Sequence, residues 1–201
     1  MNLDSSALLP GETVRLRKNA NAVVVIDEYG LSRFAFDHLM GTVGMRGKEA
    51  IGGRLHLTNY RLIFKSHSFN RLRGTFGVFL PTIHEVRNAS VGVKRQVEIV
   101  TKSQRFTFVV WGVPGLISHI NDARSALGDQ AKTQLIDLAI TYPERVGDGL
   151  KTVRAAEAVN RALTGVTHLP VADAVVQQAL QQGVSDATKS AALNLTDLFS
   201  S

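Results

Sequence analysis

Eight basic residues, Arg46, Lys48, Arg54, Lys65, Arg71, Arg73, Lys102 and Arg105, are the side chains here whose type and spacing could do chemistry. That chemistry is the binding of an anion. Twelve of the 23 Lys and Arg residues fall between positions 46 and 105, against three acidic residues, Glu49, Glu85 and Glu98. The segment therefore carries a net charge of +9 in a chain of net charge +6, while the residues before it sum to −1 and those after it to −2. A positive field concentrated in this way attracts a polyanion: a membrane surface, a phosphorylated headgroup or nucleic acid.

The spacing within two hairpins sharpens the point. In residues 52–66, GGRLHLTNYRLIFKS, a two-residue turn at Asn59-Tyr60 sets Leu57 against Leu62, His56 against Ile63, Leu55 against Phe64 and Arg54 against Lys65. The leucines and Phe64 then share the buried face of a sheet. Arg54 faces Lys65 on the other side, although like charges directly opposite each other are destabilising. In residues 96–111 a turn at Ser103-Gln104 pairs Ile99 with Phe108 and Val97 with Val110, and sets Lys102 against Arg105. One such pair reads as two long side chains splaying into water. Two pairs with cationic neighbours point to an anion site.

Other chemistries find little support. The chain has no cysteine, hence no disulfide, cysteine zinc site or cysteine nucleophile, which fits a cytosolic protein. The histidines at 38, 56, 67, 84, 119 and 168 lack paired ligand spacing, so no metal site is expected, and His56 is expected at the surface beside Ile63. No Ser-His-Asp arrangement or nucleophile elbow is visible, and Glu85 and Glu98 read as salt-bridge partners. No catalytic residue, cofactor or enzymatic activity is expected. Residues 41–50, GTVGMRGKEA, have Thr42 where a Walker A loop needs glycine and Glu49 where it needs Ser or Thr. Few aromatics lie outside core positions to stack bases, so nucleic acid is a disfavoured partner. The start, MNLDSSALLPGETV, lacks the basic and apolar runs of a secretion signal, and the longest apolar runs, such as 22–26, are too short to span a bilayer.

Short strands must position the cations. Residues 12–111 read mainly as β: a strand at 22–28, a glycine-rich loop at 41–53, two strands within 54–65, a strand at 75–86 interrupted by Pro81, and the hairpin at 96–111. Leu116, Ile117, Ile120, Ala123 and Leu127 then recur at helical spacing over 113–127, with Pro114 in the first turn. From Asp129 alanine becomes frequent, and helices are expected over 129–142, 148–163, 170–182 and 185–199. Trp111 is assigned to core or helix packing rather than membrane contact. Phe34, Phe36, Leu39 and Met40 are assigned to a helix covering the sheet rather than to lipid.

LPGETV (9–14), GGRLHLTNYRLIFKS (52–66), VFLPTIHEV (78–86) and VEIVTKSQRFTFVV (97–110), in this order, resemble the GRAM domain of the pleckstrin-homology (PH) superfold. TNYRLIFKS is similar to the GRAM segment preceding myotubularin phosphatases, but no phosphatase follows, and the stretch between Val14 and Gly52 is longer than is usual there. The resemblance covers residues 8–127 and implies a PH-like barrel of two near-orthogonal antiparallel sheets capped by the helix at 113–127; with the helical extension that the apolar spacing predicts over 128–201, the fold class expected is α+β. It also implies that loops 41–53, 66–75 and 102–105 converge at an open end. Arg46, Lys48, His67, Arg71, Arg73, Lys102 and Arg105 would gather there, flanked by Arg54 and Lys65, with Lys94 and Arg95 at the opposite end as solvated charges. The implied function is a non-enzymatic, cytoplasmic, peripheral membrane module that binds anionic lipid, a phosphoinositide being one candidate. The alternative is a protein-interaction or oligomerisation scaffold with no physiological lipid ligand, its C-terminal helices docking on the domain or forming a homo-oligomer.

Overall fold

The structure, a computed structural model, describes residues 3–25, 48–68, 70, 72–102, 104–146, 149–152 and 197–198. Its elements in chain order are β1 (Val14–Val25), β2 (Lys48–Thr58), β3 (Arg61–Ser66), β4 (Leu72–Phe79), β5 (Ile83–Asn88), β6 (Gln96–Thr101), β7 (Arg105–Val110), α1 (Val113–Ser125), α2 (Asp129–Thr141), α3 (Pro143–Val146) and β8 (Gly149–Thr152). The strands form one antiparallel sheet in the order β5-β6-β7-β1-β2-β3-β4-β8. Among the described residues the sheet is open, with β5 and β8 as its edges, rather than a closed barrel.

Several elements depart from the sequence reading. β1 starts at Val14, well before position 22, because it pairs with β2 from Val14↔Thr58 onward; the small inward residues Ala20 and Ala22 leave its hydrophobic alternation weak in the sequence. β2 starts at Lys48, inside the expected glycine-rich loop, because its first residues pair with the end of β1 up to Val25↔Lys48. Where a helix was expected from 148, β8 extends the sheet on β4 from Leu72↔Thr152 to Thr75↔Gly149 and covers an edge that would otherwise expose unpaired backbone groups. Helices α1 and α2 lie where apolar spacing placed them, and Pro81 breaks the strand between β4 and β5 as expected. The expected helix over 170–182, most of those over 148–163 and 185–199, and the stretch holding Phe34, Phe36, Leu39 and Met40 lie outside the described residues.

The main core is built from the inward residues of the sheet, among them Ala20, Ile51, Leu55, Leu57, Leu62, Phe64, Val97, Ile99 and Phe108, joined by Val113, Leu116, Ile120 and Ala123 of α1. Phe64 packs against Phe76 and Phe108 with ring centroids 5.5 and 5.7 Å apart, and Phe76 stacks on Phe106 at 5.5 Å. Gly53 makes room for this cluster. A Cβ there would stand 2.5 Å from Phe64 Cζ and would also strike the Lys65 carbonyl.

A second cluster lies on the outer face of β3 and β4. Leu9, Tyr60 and Phe79 pack there with Leu135, Ala139 and Val146 of α2 and α3. Its centre is a fully buried ion pair. Arg61 Nε donates to Glu12 Oε1 and Arg61 Nη2 to Glu12 Oε2, both at 2.9 Å. Two further guanidinium donors reach the carbonyls of Ala7 at 2.9 Å and Arg145 at 2.6 Å. Glu12 Oε2 also accepts from the Leu9 N–H at 2.7 Å, and the Thr58 hydroxyl lies 2.8 Å from Glu12 Oε1. Asn59 fastens the same segment, accepting from the Thr13 N–H at 2.7 Å and donating to the Gly11 carbonyl at 3.0 Å.

Removing one partner of such a pair strands a buried charge. Glu12→Ala should therefore cost about 3–5 kcal/mol in urea unfolding, while the joint replacement Glu12→Leu/Arg61→Met should cost less than either single change. Gly53→Ala should lower stability by roughly 1–3 kcal/mol through overpacking against Phe64. A wild-type midpoint for Gly53→Ala would contradict the packing described.

Candidate functional site

The first hairpin has the register expected of it, with Leu57↔Leu62, His56↔Ile63, Leu55↔Phe64 and Arg54↔Lys65. Arg54 and Lys65 are thus neighbours on the outer face, both half-buried. The second hairpin is shifted by two residues. Ile99 pairs with Phe106, Val97 with Phe108 and Val100 with Arg105, so Lys102 does not face Arg105. The cause is a longer connection closed by Thr101, whose N–H donates to the Gln104 carbonyl at 2.9 Å and whose hydroxyl accepts from the Gln104 N–H at 3.0 Å. Arg105 instead lies 3.5 Å from Glu98, which also pairs with Arg87 at 2.8 Å, and Arg87 reaches Glu85 at 3.4 Å. Glu85 and Glu98 are salt-bridge partners, as expected.

The cations therefore divide into two places. Lys48 ends the β1–β2 ladder opposite Val25, and β7 pairs with β1 up to Val23↔Thr107, which carries Arg105 and the exposed Lys102 toward that end. Arg54 lies six residues along β2 from Lys48, roughly 20 Å away at strand spacing. Arg46 and Arg71 lie outside the described residues; Arg73 is on β4 opposite Lys151.

Around Arg54 the structure forms a cleft of about 490 Å³. Its walls are Asn19 and Asn21 of β1, Arg54 of β2, His67 after β3, Lys94 and Arg95 before β6, and Trp111 after β7. Arg54 Nε donates to Asn19 Oδ1 at 3.3 Å. Lys18 Nζ donates to the Trp111 carbonyl at 3.1 Å. Lys94 and Arg95, expected at the opposite end as isolated solvated charges, instead share this cleft with Arg54. Among the described residues that line it none is acidic. Trp111, expected in the core or against a helix, is 80% exposed. The sequence held one overlooked signal for this place: Val91-Gly92-Val93 puts two valines in a tight turn, where small polar residues are usual.

His56 was expected at the surface but is fully buried, with neither ring nitrogen hydrogen-bonded among the described residues. It shares the outer face with Arg61, which the second cluster covers. Burial, reinforced by the positive charges of Arg17, Arg54 and Lys65, lowers its pKa from 6.5 to about 4. Among the described residues no group of three or more acidic or histidine side chains could hold a metal ion, and no helix is long and apolar enough to cross a membrane.

No family model matches the chain, and no curated protein matches it. Among solved structures it is similar to the C-terminal domain of an unknown protein from Leishmania infantum, with 16% identity, a TM-score of 0.41 and coverage of 57% of this chain and 86% of that one. It is also similar to the Vps36 N-terminal PH domain, with 15% identity, a TM-score of 0.39 and coverage of 60% and 87%.

The buried histidine generates a pH dependence. As pH falls, the unfolded chain takes up the His56 proton near 6.5, whereas the folded state resists it down to about 4. Stability from this group is complete above 6.5, declines between 6.5 and 4, and is constant below that; the loss is on the order of 3 kcal/mol. His56→Leu should flatten this part of a stability–pH curve measured by urea unfolding.

Proposed function

We propose that the chain is a PH-like module of the GRAM type that associates peripherally with anionic membranes. Residues 8–127 form the module, two near-orthogonal antiparallel layers capped by α1 and, among the described residues, left open rather than closed into a barrel, with α2 and α3 packed on its outer face. Support for the fold is the run of seven antiparallel strands followed directly by α1, whose apolar side enters the core, together with the order of the sequence motifs. The observation that carries the function is the register Arg54↔Lys65, which sets two cations side by side on the outer face of the sheet. The strand-end cations Lys48, Lys102 and Arg105, with Arg46, Arg71 and Arg73, add long-range attraction. Each basic side chain near an anionic leaflet contributes about 1 kcal/mol, and the contribution is screened by salt.

Co-sedimentation with phosphatidylcholine vesicles, with and without phosphatidylserine or a phosphoinositide, tests the reading. The full chain should pellet only with the anionic vesicles, and less as salt rises. Failure to pellet with any anionic vesicle would refute membrane association and favour a protein-interaction or oligomerisation scaffold.

A further inference from the structure

Resting on that reading, we infer that the membrane-contacting surface is the cleft beside Arg54 together with the Val91–Lys94 turn and Trp111, and that it seats a phosphate-bearing lipid headgroup while its apolar rim enters the bilayer interface. Val91, Val93 and Trp111 are 75%, 94% and 80% exposed, three of the four large apolar side chains exposed among the described residues. Val93 and Trp111 border the same cleft as Arg54, Lys94 and Arg95. The turn is held rigidly: the Val91 N–H donates to the Lys94 carbonyl at 3.1 Å and the Lys94 N–H to the Val91 carbonyl at 3.0 Å, with Gly92 at φ 57°. The valine side chains are thus presented at its tip rather than folded inward.

Such a concentration of exposed apolar surface marks an interaction site. The surrounding chemistry selects the partner. The described walls of the cleft bring guanidinium, ammonium and amide donors together, a set that suits phosphate oxygens. An indole among cations is the side-chain set favoured at the headgroup level of a bilayer, where its ring is apolar and its N–H stays wet. An apolar tip with flanking cations gains both from burial in the interface and from attraction to anionic lipid. Helices α2 and α3 pack on the face around Arg61, and the residues of that cluster are distinct from those of the cleft.

Trp111 is the sole tryptophan of the chain, so its fluorescence reports on this rim without mutation. With phosphatidylcholine–phosphatidylserine–phosphoinositide vesicles its emission should shift to the blue and be quenched by brominated acyl chains. Lys94→Glu/Arg95→Glu should weaken vesicle pelleting by about tenfold or more, and Lys48→Glu/Lys102→Glu, at equal net charge, by much less. Val93→Asp should abolish the quenching. Thermal unfolding identical to wild type shows that these substitutions leave the fold intact. If the vesicles pellet the protein while Trp111 emission is unchanged and the two double variants lose equally, this site is wrong and diffuse membrane attraction stands. If no anionic vesicle pellets the protein, the membrane reading falls with it. If soluble inositol phosphates bind the cleft and vesicles do not, the lipid assignment is overturned.

Discussion

The buried Arg61–Glu12 pair is the constraint on which the rest of the arrangement depends. Two charges taken out of water are tolerable only where geometry is close and the remaining donors and acceptors are satisfied. Here Glu12 meets Arg61 through two parallel hydrogen bonds, while Arg61 also holds the carbonyls of Ala7 and Arg145. One side chain on β3 thereby joins the N-terminal segment, the first hairpin and α3. Arg145 repeats the tie, donating to the Leu8 carbonyl at 3.1 Å while its guanidinium lies over the Tyr142 ring. The Pro-Gly-Glu and Thr-Asn-Tyr-Arg stretches, far apart in sequence, are two halves of this one network.

That cover has a consequence for the sheet. Its outer face is divided into a sealed part around Arg61, His56 and Ile63 and an accessible part around Asn19, Asn21 and Arg54. His56 and Arg54 are two residues apart on the same strand, yet one is fully buried and the other lines a cleft. The cations of the basic segment therefore differ in their surroundings. Arg61 is spent internally, Arg87 and Arg105 pair with Glu98, and Arg54, Lys94 and Arg95 converge.

The sequence made the first hairpin legible to the residue, because Leu55, Leu57, Leu62 and Phe64 alternate strictly around a turn marked by Asn59. It made α1 and α2 legible because their apolar spacing is helical. It misled where the signal was compositional. An arginine between Tyr60 and Leu62 looks like surface charge until Glu12 is brought to it across the fold. His56 looked exposed because nothing local announces that a distant segment will cover that face. The second hairpin slipped by two residues because Ile99 and Val97 find apolar partners in either register, Phe108 and Val110 in one and Phe106 and Phe108 in the other, so hydrophobic pattern alone does not choose between them. Lys94 and Arg95 read as solvated charges in the sequence because the cleft is made by the ends of elements that are neighbours only in three dimensions.

Hydrogen–deuterium exchange of the full chain with neutral and with anionic vesicles tests the central claim most directly, because it reads every backbone segment at once. Anionic vesicles should slow exchange over residues 89–95 and 111–113 and leave residues 129–146 unchanged, with no effect from neutral vesicles. Protection confined to 129–146, or the same exchange in both, would contradict a membrane surface built on the Arg54 cleft.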